Sequence, residues 1–178
     1  SPSRDDLQGA NGNVGDGERY GLEVNSSTRM RMIGLPNLLI NASIRVEDSR
    51  ITDPFLGVDR RFTFNSRGRQ TLGFRHDFPS KRINWGVRFT NTPDGNWKFY
   101  DLIDIEVWET DPFYTAFFEW RSPNNTTVRL EAGRLGNYEF CRQRFRYDGG
   151  IAEGYLAELE SNCNHSGHDI TLRVTGTF

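Results

Sequence analysis

The sequence predicts an all-β fold: an antiparallel, up-and-down transmembrane β-barrel segment of about seven membrane strands, incomplete as a barrel. Three observations predict it. From Asp169 onward, apolar Ile170, Leu172, Val174, Gly176 and Phe178 alternate with polar Thr171, Arg173, Thr175 and Thr177, and the alternation ends on an aromatic residue. A strand sends successive side chains to opposite faces, so one face is oily and the other carries charge and hydroxyls, the split that lipid outside and water inside require. Ile170 to Phe178 extends about 26 Å at ~3.3 Å per residue, close to the ~25 Å apolar band of a barrel wall. The composition, with 13% aromatic residues, 35% apolar residues and 18 glycines in 178 residues, suits strands and turns better than helices. The third observation, the placing of short turns on one rim, comes from the elements in order.

Residues 1–17, polar and with Gly9, Gly12, Gly15 and Gly17, read as a loop or linker, and 18–178 as the barrel segment. The first strand sets Tyr20, Leu22, Val24, Ser26, Thr28 and Met30 against Arg19, Glu23, Asn25, Ser27 and Arg29. After a turn at Gly34-Leu35-Pro36-Asn37, the second sets Leu38, Ile40, Ala42, Ile44 and Val46 against Asn41, Ser43, Arg45 and Glu47. Asp48 to Arg61 is polar. The third strand lies within Phe62 to Phe78, where Leu72 and Phe74 alternate with Thr71, Gly73 and Arg75. A turn at Pro79 leads to the fourth, with Ile83, Trp85, Val87 and Phe89 on one face. Trp97 to Glu109 is strand-like but mixed, without a clean oily face, and reads as an excursion outside the membrane. Thr110-Asp111-Pro112-Phe113 repeats Thr52-Asp53-Pro54-Phe55, which suggests recurring turn or bulge chemistry, because the flanks do not repeat. Tyr114, Ala116, Phe118 and Trp120 mark the fifth strand, and Val128, Leu130 and Ala132 the sixth, which continues into Arg142, Arg144 and Arg146. A loop from Asp148 to Gly167 precedes the final strand.

With the last residue on the inner side, the short turns at Gly34, Pro79 and Ser122 fall on one rim, and the long connections at Ser49, Asn91 to Asp111, and Asp148 fall on the other. Barrels with short periplasmic turns and longer outer loops show this alternation. Trp85, Trp120 and Phe178 then gather at the short-turn rim as an aromatic girdle, with Phe178 also serving as the assembly signal.

Other function classes lack support. The net charge of −2 offers no broad basic surface, which argues against a nucleic-acid partner. No apolar run is long enough for a membrane-spanning helix, which says nothing against a barrel. No nucleophile elbow, phosphate loop or zinc-protease helix occurs, so the chain reads as a non-enzyme without cofactor. Ser1-Pro2-Ser3 has neither a charged nor an apolar leader region, so an export signal has been removed or the chain is one end of a longer protein. Cys141 and Cys163 flank polar loops and suit a disulfide in an oxidising compartment, with two unpaired thiols as the alternative. Asn25, Asn41, Asn124, Asn125 and Asn164 open glycosylation-type triplets that an Asn-, Ser- and Thr-rich chain produces by chance.

Several stretches resemble the C-terminal part of TonB-dependent outer-membrane receptors. They are Asp53-Pro54-Phe55-Leu56-Gly57 followed by Arg60-Arg61, Leu72-Gly73-Phe74-Arg75-His76-Asp77-Phe78-Pro79, Trp85-Gly86-Val87, Val128 to Ala132 leading to Leu135, Arg142 to Tyr147 ahead of Asp148-Gly149-Gly150, and Thr175 to Phe178. The resemblance covers most of the chain from about Gly17. It departs at Arg134-Leu135-Gly136-Asn137, where such receptors often carry an Asn-Leu-Phe-Asp-like tetrad, and the plug domain and TonB box are absent. It implies a fragment of a receptor in the outer membrane of a Gram-negative bacterium, taking up siderophore-iron or another large, scarce nutrient. Its partners would be outer-membrane lipid, the rest of the barrel and a plug domain, a TonB-type energy-coupling protein and the barrel-assembly machinery. Such transporters close at about 22 strands, and an odd seven would leave two open edges. A different class, a secreted soluble binding module built as a sandwich or lipocalin-like barrel, accounts for the same alternation with the oily face turned to a core.

Candidate binding residues follow the same geometry. Inward Arg29, Arg45, Arg75, Arg88, Arg129 and Arg173 with Glu23, Glu47, Glu119 and Glu131 form either a solvated wall with cross-strand pairing or a contact surface for a plug. Arg142, Arg144, Arg146 and Tyr147 rise toward the outer surface, where a cationic aromatic patch could hold an anionic iron chelate, lipopolysaccharide or water alone. The Cys163 to Asp169 run, with His165 and His168, contains metal-ligand types, but disulfide use of Cys163 ranks above a metal site.

Overall fold

The computed structural model describes residues 14–93, 97–136 and 138–176. Residues 1–13 of the expected linker, and Phe178, lie outside them. The strands are β1 (Gly17–Met30), β2 (Leu35–Asp53), β3 (Val58–Arg60), β4 (Gly68–Phe78), β5 (Ile83–Asn91), β6 (Trp97–Tyr100), β7 (Asp104–Thr110), β8 (Phe113–Arg121), β9 (Thr127–Leu135), β10 (Glu139–Tyr147), β11 (Leu156–His165) and β12 (Asp169–Thr175). Single 3-10 turns occupy Arg31–Ile33, Pro79–Lys81 and Ile151–Glu153. No helix among the described residues is long and apolar enough to cross a membrane. The protein is all-β and antiparallel.

The main sheet runs β1-β2-β4-β5-β8-β9-β12, with β3 folded back on the outer end of β2. Its seven long strands are those read from the alternation, in chain order, each antiparallel to the next. The turns between them at one end are tight for identifiable reasons. Gly34 adopts φ 77° and donates its N–H to Arg31 O at 3.0 Å, and Arg82 does the same toward Pro79 O at 3.2 Å with φ 55°. Between β8 and β9, Asn125 at φ 60° donates to Ser122 O, and Ser122 donates to Thr126 O at 2.7 Å. Left-handed backbone at the end of a short turn suits Gly and Asn, and Arg82 holds it at some steric cost.

A second sheet, β11-β10-β7-β6, grows from the opposite end. Chain continuity explains its order: β7 runs into β8 through Asp111-Pro112, β9 into β10, and β11 into β12 through Ser166 to His168. The ladders β7·β10 and β10·β11 therefore repeat β8·β9 and β9·β12 one storey up. Asp111 N–H to Glu139 O (2.9 Å) and Ser166 N–H to Tyr138 O (3.2 Å) stitch the joint. This corrects one expectation: Asp148 to Gly167 is no continuous loop, since it contains β11. The strand-like stretch from Trp97 to Glu109 forms the β6–β7 hairpin, and the third long strand, Gly68–Phe78, lies within Phe62 to Phe78.

Among the described residues the sheet is open: β1 pairs only with β2, and β12 only with β9, and no closed barrel is seen. The described residues also lack a conventional core. Their buried apolar side chains are Ile51, Leu56 and Val107, and no large side chain is fully buried.

Ile51 and Leu56 lie at the loop end of β2, and Val107 lies in the second sheet. Asp53, 2% exposed, accepts hydrogen bonds from Phe55 and Leu56 N–H through Oδ1 and from Arg60 Nε through Oδ2 at 2.8 Å, while its own carbonyl accepts Gly57 N–H. Arg60 also lies over the Tyr100 ring at 4.9 Å. The second copy of the tetrapeptide does something else: Asp111 marks the joint between two strands. Burial pushes the Asp53 carboxyl up, but Arg60 and the two N–H groups outweigh it, leaving the pKa below the ordinary 3.8. A depressed carboxylate stabilises the fold above its unfolded pKa, and that stabilisation disappears as pH falls below about 3.8 toward the folded value. Amide exchange at Leu56 and Gly57 will therefore accelerate selectively in acid, and Asp53→Asn will remove this pH dependence while costing about 3 kcal/mol or more locally, because Arg60 is left buried without its partner.

Candidate membrane-facing wall and polar trough

Register turns the alternation of single strands into two continuous faces. On one, Thr28–Ile40–Phe74–Val87–Ala116–Ala132–Ile170 form a row across all seven strands of the meander. A second row follows Leu38–His76–Trp85–Phe118–Leu130–Leu172, and a third Phe78–Ile83–Trp120–Val128–Val174. This face is bare. Leu22, Val24, Ile44, Leu72, Phe118, Leu130, Ile170 and Leu172 are all exposed, with Ile170 at 75%. An apolar surface continuous over seven strands is unusual in a soluble monomer.

Trp85 and Trp120 stand on that face close to the short-turn rim, two register pairs apart. Trp85 meets Phe74 edge-on at 5.2 Å. Tyr20 and Tyr114 project from the same face toward the loop end, where Tyr114 packs against Phe89 at 5.2 Å. The reading missed this second aromatic level, although the position of both tyrosines at the loop ends of their strands already signalled it.

The opposite face curls around a trough of about 870 Å³. At its turn-side end, polar groups pair along and across strands: Arg129 bonds Glu131 on its own strand (2.8 Å) and Glu119 on the neighbouring one (3.4 Å), Asn84 donates across to Glu119 (3.0 Å), and Arg75 donates to Asp77 along β4 (2.6 Å). Gly86 lies opposite Phe117 in the ladder, and a Cβ there would collide with Phe74 O and meet the Phe117 ring at 2.7 Å. The missing side chain lets the ring lie across β5, with the Arg129 guanidinium above it at 4.0 Å. A glycine within a strand signals such a close approach, but only the register identifies the ring that uses it.

Arg142, Arg144 and Arg146, expected to form a cationic patch, each stand beside carboxylates. Arg142 pairs with Glu160 at 3.0 Å; Arg144 with Asp104 and, at 3.7 Å, Glu106; and Arg146 with Glu158 at 2.8 Å and Asp104 at 3.6 Å. Three guanidinium groups thus face four carboxylates on the flanking strands. The bond to Glu158 raises the Arg146 pKa further above its ordinary value. These pairs tie β10 to β7 on one side and to β11 on the other. Tyr147 lies beyond a register shift in the β10–β11 ladder, with its N–H on Ile103 O at 2.8 Å.

Cys141 and Cys163 are directly opposed in β10 and β11 and form a disulfide, 22 residues apart in sequence. Glu139 lies close to both sulfurs, but bonded cysteines offer no thiolate to a metal. His165 is 3.6 Å from Glu139, and His168 reaches Arg134 O at 3.0 Å, so the Cys163 to Asp169 run does not converge on one point. No protein-family model, curated protein or solved structure matches this chain.

Proposed function

We propose that the chain is a wall segment of a TonB-dependent transport receptor in the outer membrane, taking part in uptake of siderophore-iron or another large, scarce nutrient. One observation carries the membrane part of this reading: an apolar face continuous over seven strands and left uncovered, backed by a polar face that lines a trough. A soluble sandwich or lipocalin-like barrel would turn that oily face inward on a core, and here it points out. The aromatic residues near both ends of the face and the tight turns gathered at one end support the same reading. The receptor class rests on the sequence resemblance. In it the trough belongs to the lumen, the second sheet stands outside the cell, the rest of the barrel pairs with the edges of β1 and β12, and a plug domain engages a TonB-type protein. No bond is made or broken by this chain.

The test is the dispersal of the purified chain with and without detergent, followed by light scattering and circular dichroism. The expected result is β-type dichroism and a single dispersed species only in detergent. A monodisperse, cooperatively unfolding monomer in plain buffer would overturn the membrane assignment and favour the secreted binding module.

A further inference from the structure

The trough is charged unevenly. Its lining includes five arginines against two glutamates. Arg75 and Arg129 are matched by neighbouring carboxylates. The others are not: Arg45 reaches only Glu47, at 3.7 Å, and among the described residues Arg69 and Arg88 have no ion-pair partner. Arg45 and Arg69 are directly opposed in the β2–β4 ladder, where like charges repel. The Nε of Arg45 is buried and makes no hydrogen bond, an unusual state for a charged donor.

Between these arginines the floor is made of small polar groups. Ser43 and Thr71 form one register pair, Asn41 and Gly73 the next, and Gly73 faces Arg88. A Cβ built on Gly73 would find nothing nearer than Val87 O at 3.6 Å, so the floor there is low and open. Arginines that converge on a hollow lined with hydroxyl and amide groups favour an oxyanion, which satisfies the free N–H donors and relieves the repulsion together. The volume matches a small molecule rather than a protein segment.

We propose that Arg45, Arg69 and Arg88 form a binding site for a small, multiply charged oxyanion, a polyphosphate or polycarboxylate. The site deepens the lumen assignment made above and rests on it for its place in transport, but the binding itself requires only the trough. A solute held there would sit part-way along the polar face, on the loop side of the Arg129–Glu119 network.

The experiment is calorimetric titration of the full chain in nonionic detergent with inorganic pyrophosphate and, separately, tricarballylate. Saturable binding of at least one is expected, and the preferred probe identifies the phosphate or the carboxylate source. Arg45→Gln, Arg69→Gln and Arg88→Gln should each weaken it about tenfold. Gly73→Trp, which fills the hollow without a backbone clash, should abolish it, whereas Arg134→Gln, whose partner is Asp169, should leave it unchanged. Circular dichroism of each variant checks that the sheet persists. Absence of binding by both anions overturns the proposal, as does binding that survives Gly73→Trp and the three arginine changes. Loss of stability in the arginine variants with unchanged affinity also overturns it, and would assign these side chains to packing against another polypeptide. Binding by a chain that needs no detergent would keep the site and remove the membrane reading, so the two can fail separately.

Discussion

Arginine placed together at Leu72, Phe118 and Leu130 will abolish assembly into membranes or micelles. All three lie on the bare apolar face, on β4, β8 and β9, and are exposed by 55%, 46% and 46%. In lipid each guanidinium costs about 2–4 kcal/mol near the midplane, so the triple change approaches or exceeds the whole stability of an ordinary domain. In water the same change replaces exposed hydrocarbon by charge and costs almost nothing. The control is Thr171→Arg, one residue from Leu172 but on the polar face and opposite Glu131 in the ladder. It should assemble normally. The readouts are partition into lipid vesicles and protease resistance after partition. Assembly of the triple variant, or equal loss in the control, would show that the two faces are not divided between lipid and water.

Removing the disulfide will loosen the second sheet and leave the main one intact. Among the described residues β11 pairs only with β10, so the bond ties an edge strand to its neighbour in the sheet. Opening a loop of this length costs about 3 kcal/mol in the chain-entropy view, corresponding to roughly hundredfold faster exchange if exchange follows local opening. Cys141→Ser with Cys163→Ser should therefore expose the amides of Asn162 to His165, while those of Leu130 and Leu172, in a separate ladder, keep their protection. Hydrogen exchange read by mass spectrometry measures both regions at once. Uniform loss across β9 and β12 would mean that the two sheets unfold as one unit.

The main sheet was legible because its environment imposes a simple code. When one face must be oily, a period of two appears along every strand, as from Tyr20 to Met30 or Tyr114 to Trp120. β11 obeys no such demand. Leu156 and Leu159 are both exposed and fall on opposite parities, and the strand is held by its ladder, the disulfide and the Arg–Glu pairs. Without apolar burial to sort its residues, Leu156 to His165 reads as a loop. The ion pairs of the arginines were hidden for a related reason. Arg142, Arg144 and Arg146 show an obvious run of charge, but their partners lie on β7 and β11, distant in sequence, and only pairing brings them near. The same gap hid the Arg45–Arg69 opposition, since each strand gives its own inward side chains but not their neighbours.

The directions of the edge strands limit what can stand beside them. In a meander of seven, β1 and β12 run the same way, both descending from the loop end to the short-turn end. A ring of identical copies, all upright in one membrane, would join β12 of one copy to β1 of the next in parallel. That would place one slanted, weaker seam per copy in an otherwise antiparallel wall. A copy turned by a two-fold axis lying in the membrane would restore antiparallel pairing, but it would stand upside down, with its charged second sheet on the wrong side. Uninterrupted antiparallel closure thus requires an unlike stretch of wall whose two outer strands both ascend, and such a stretch contains an odd number of strands.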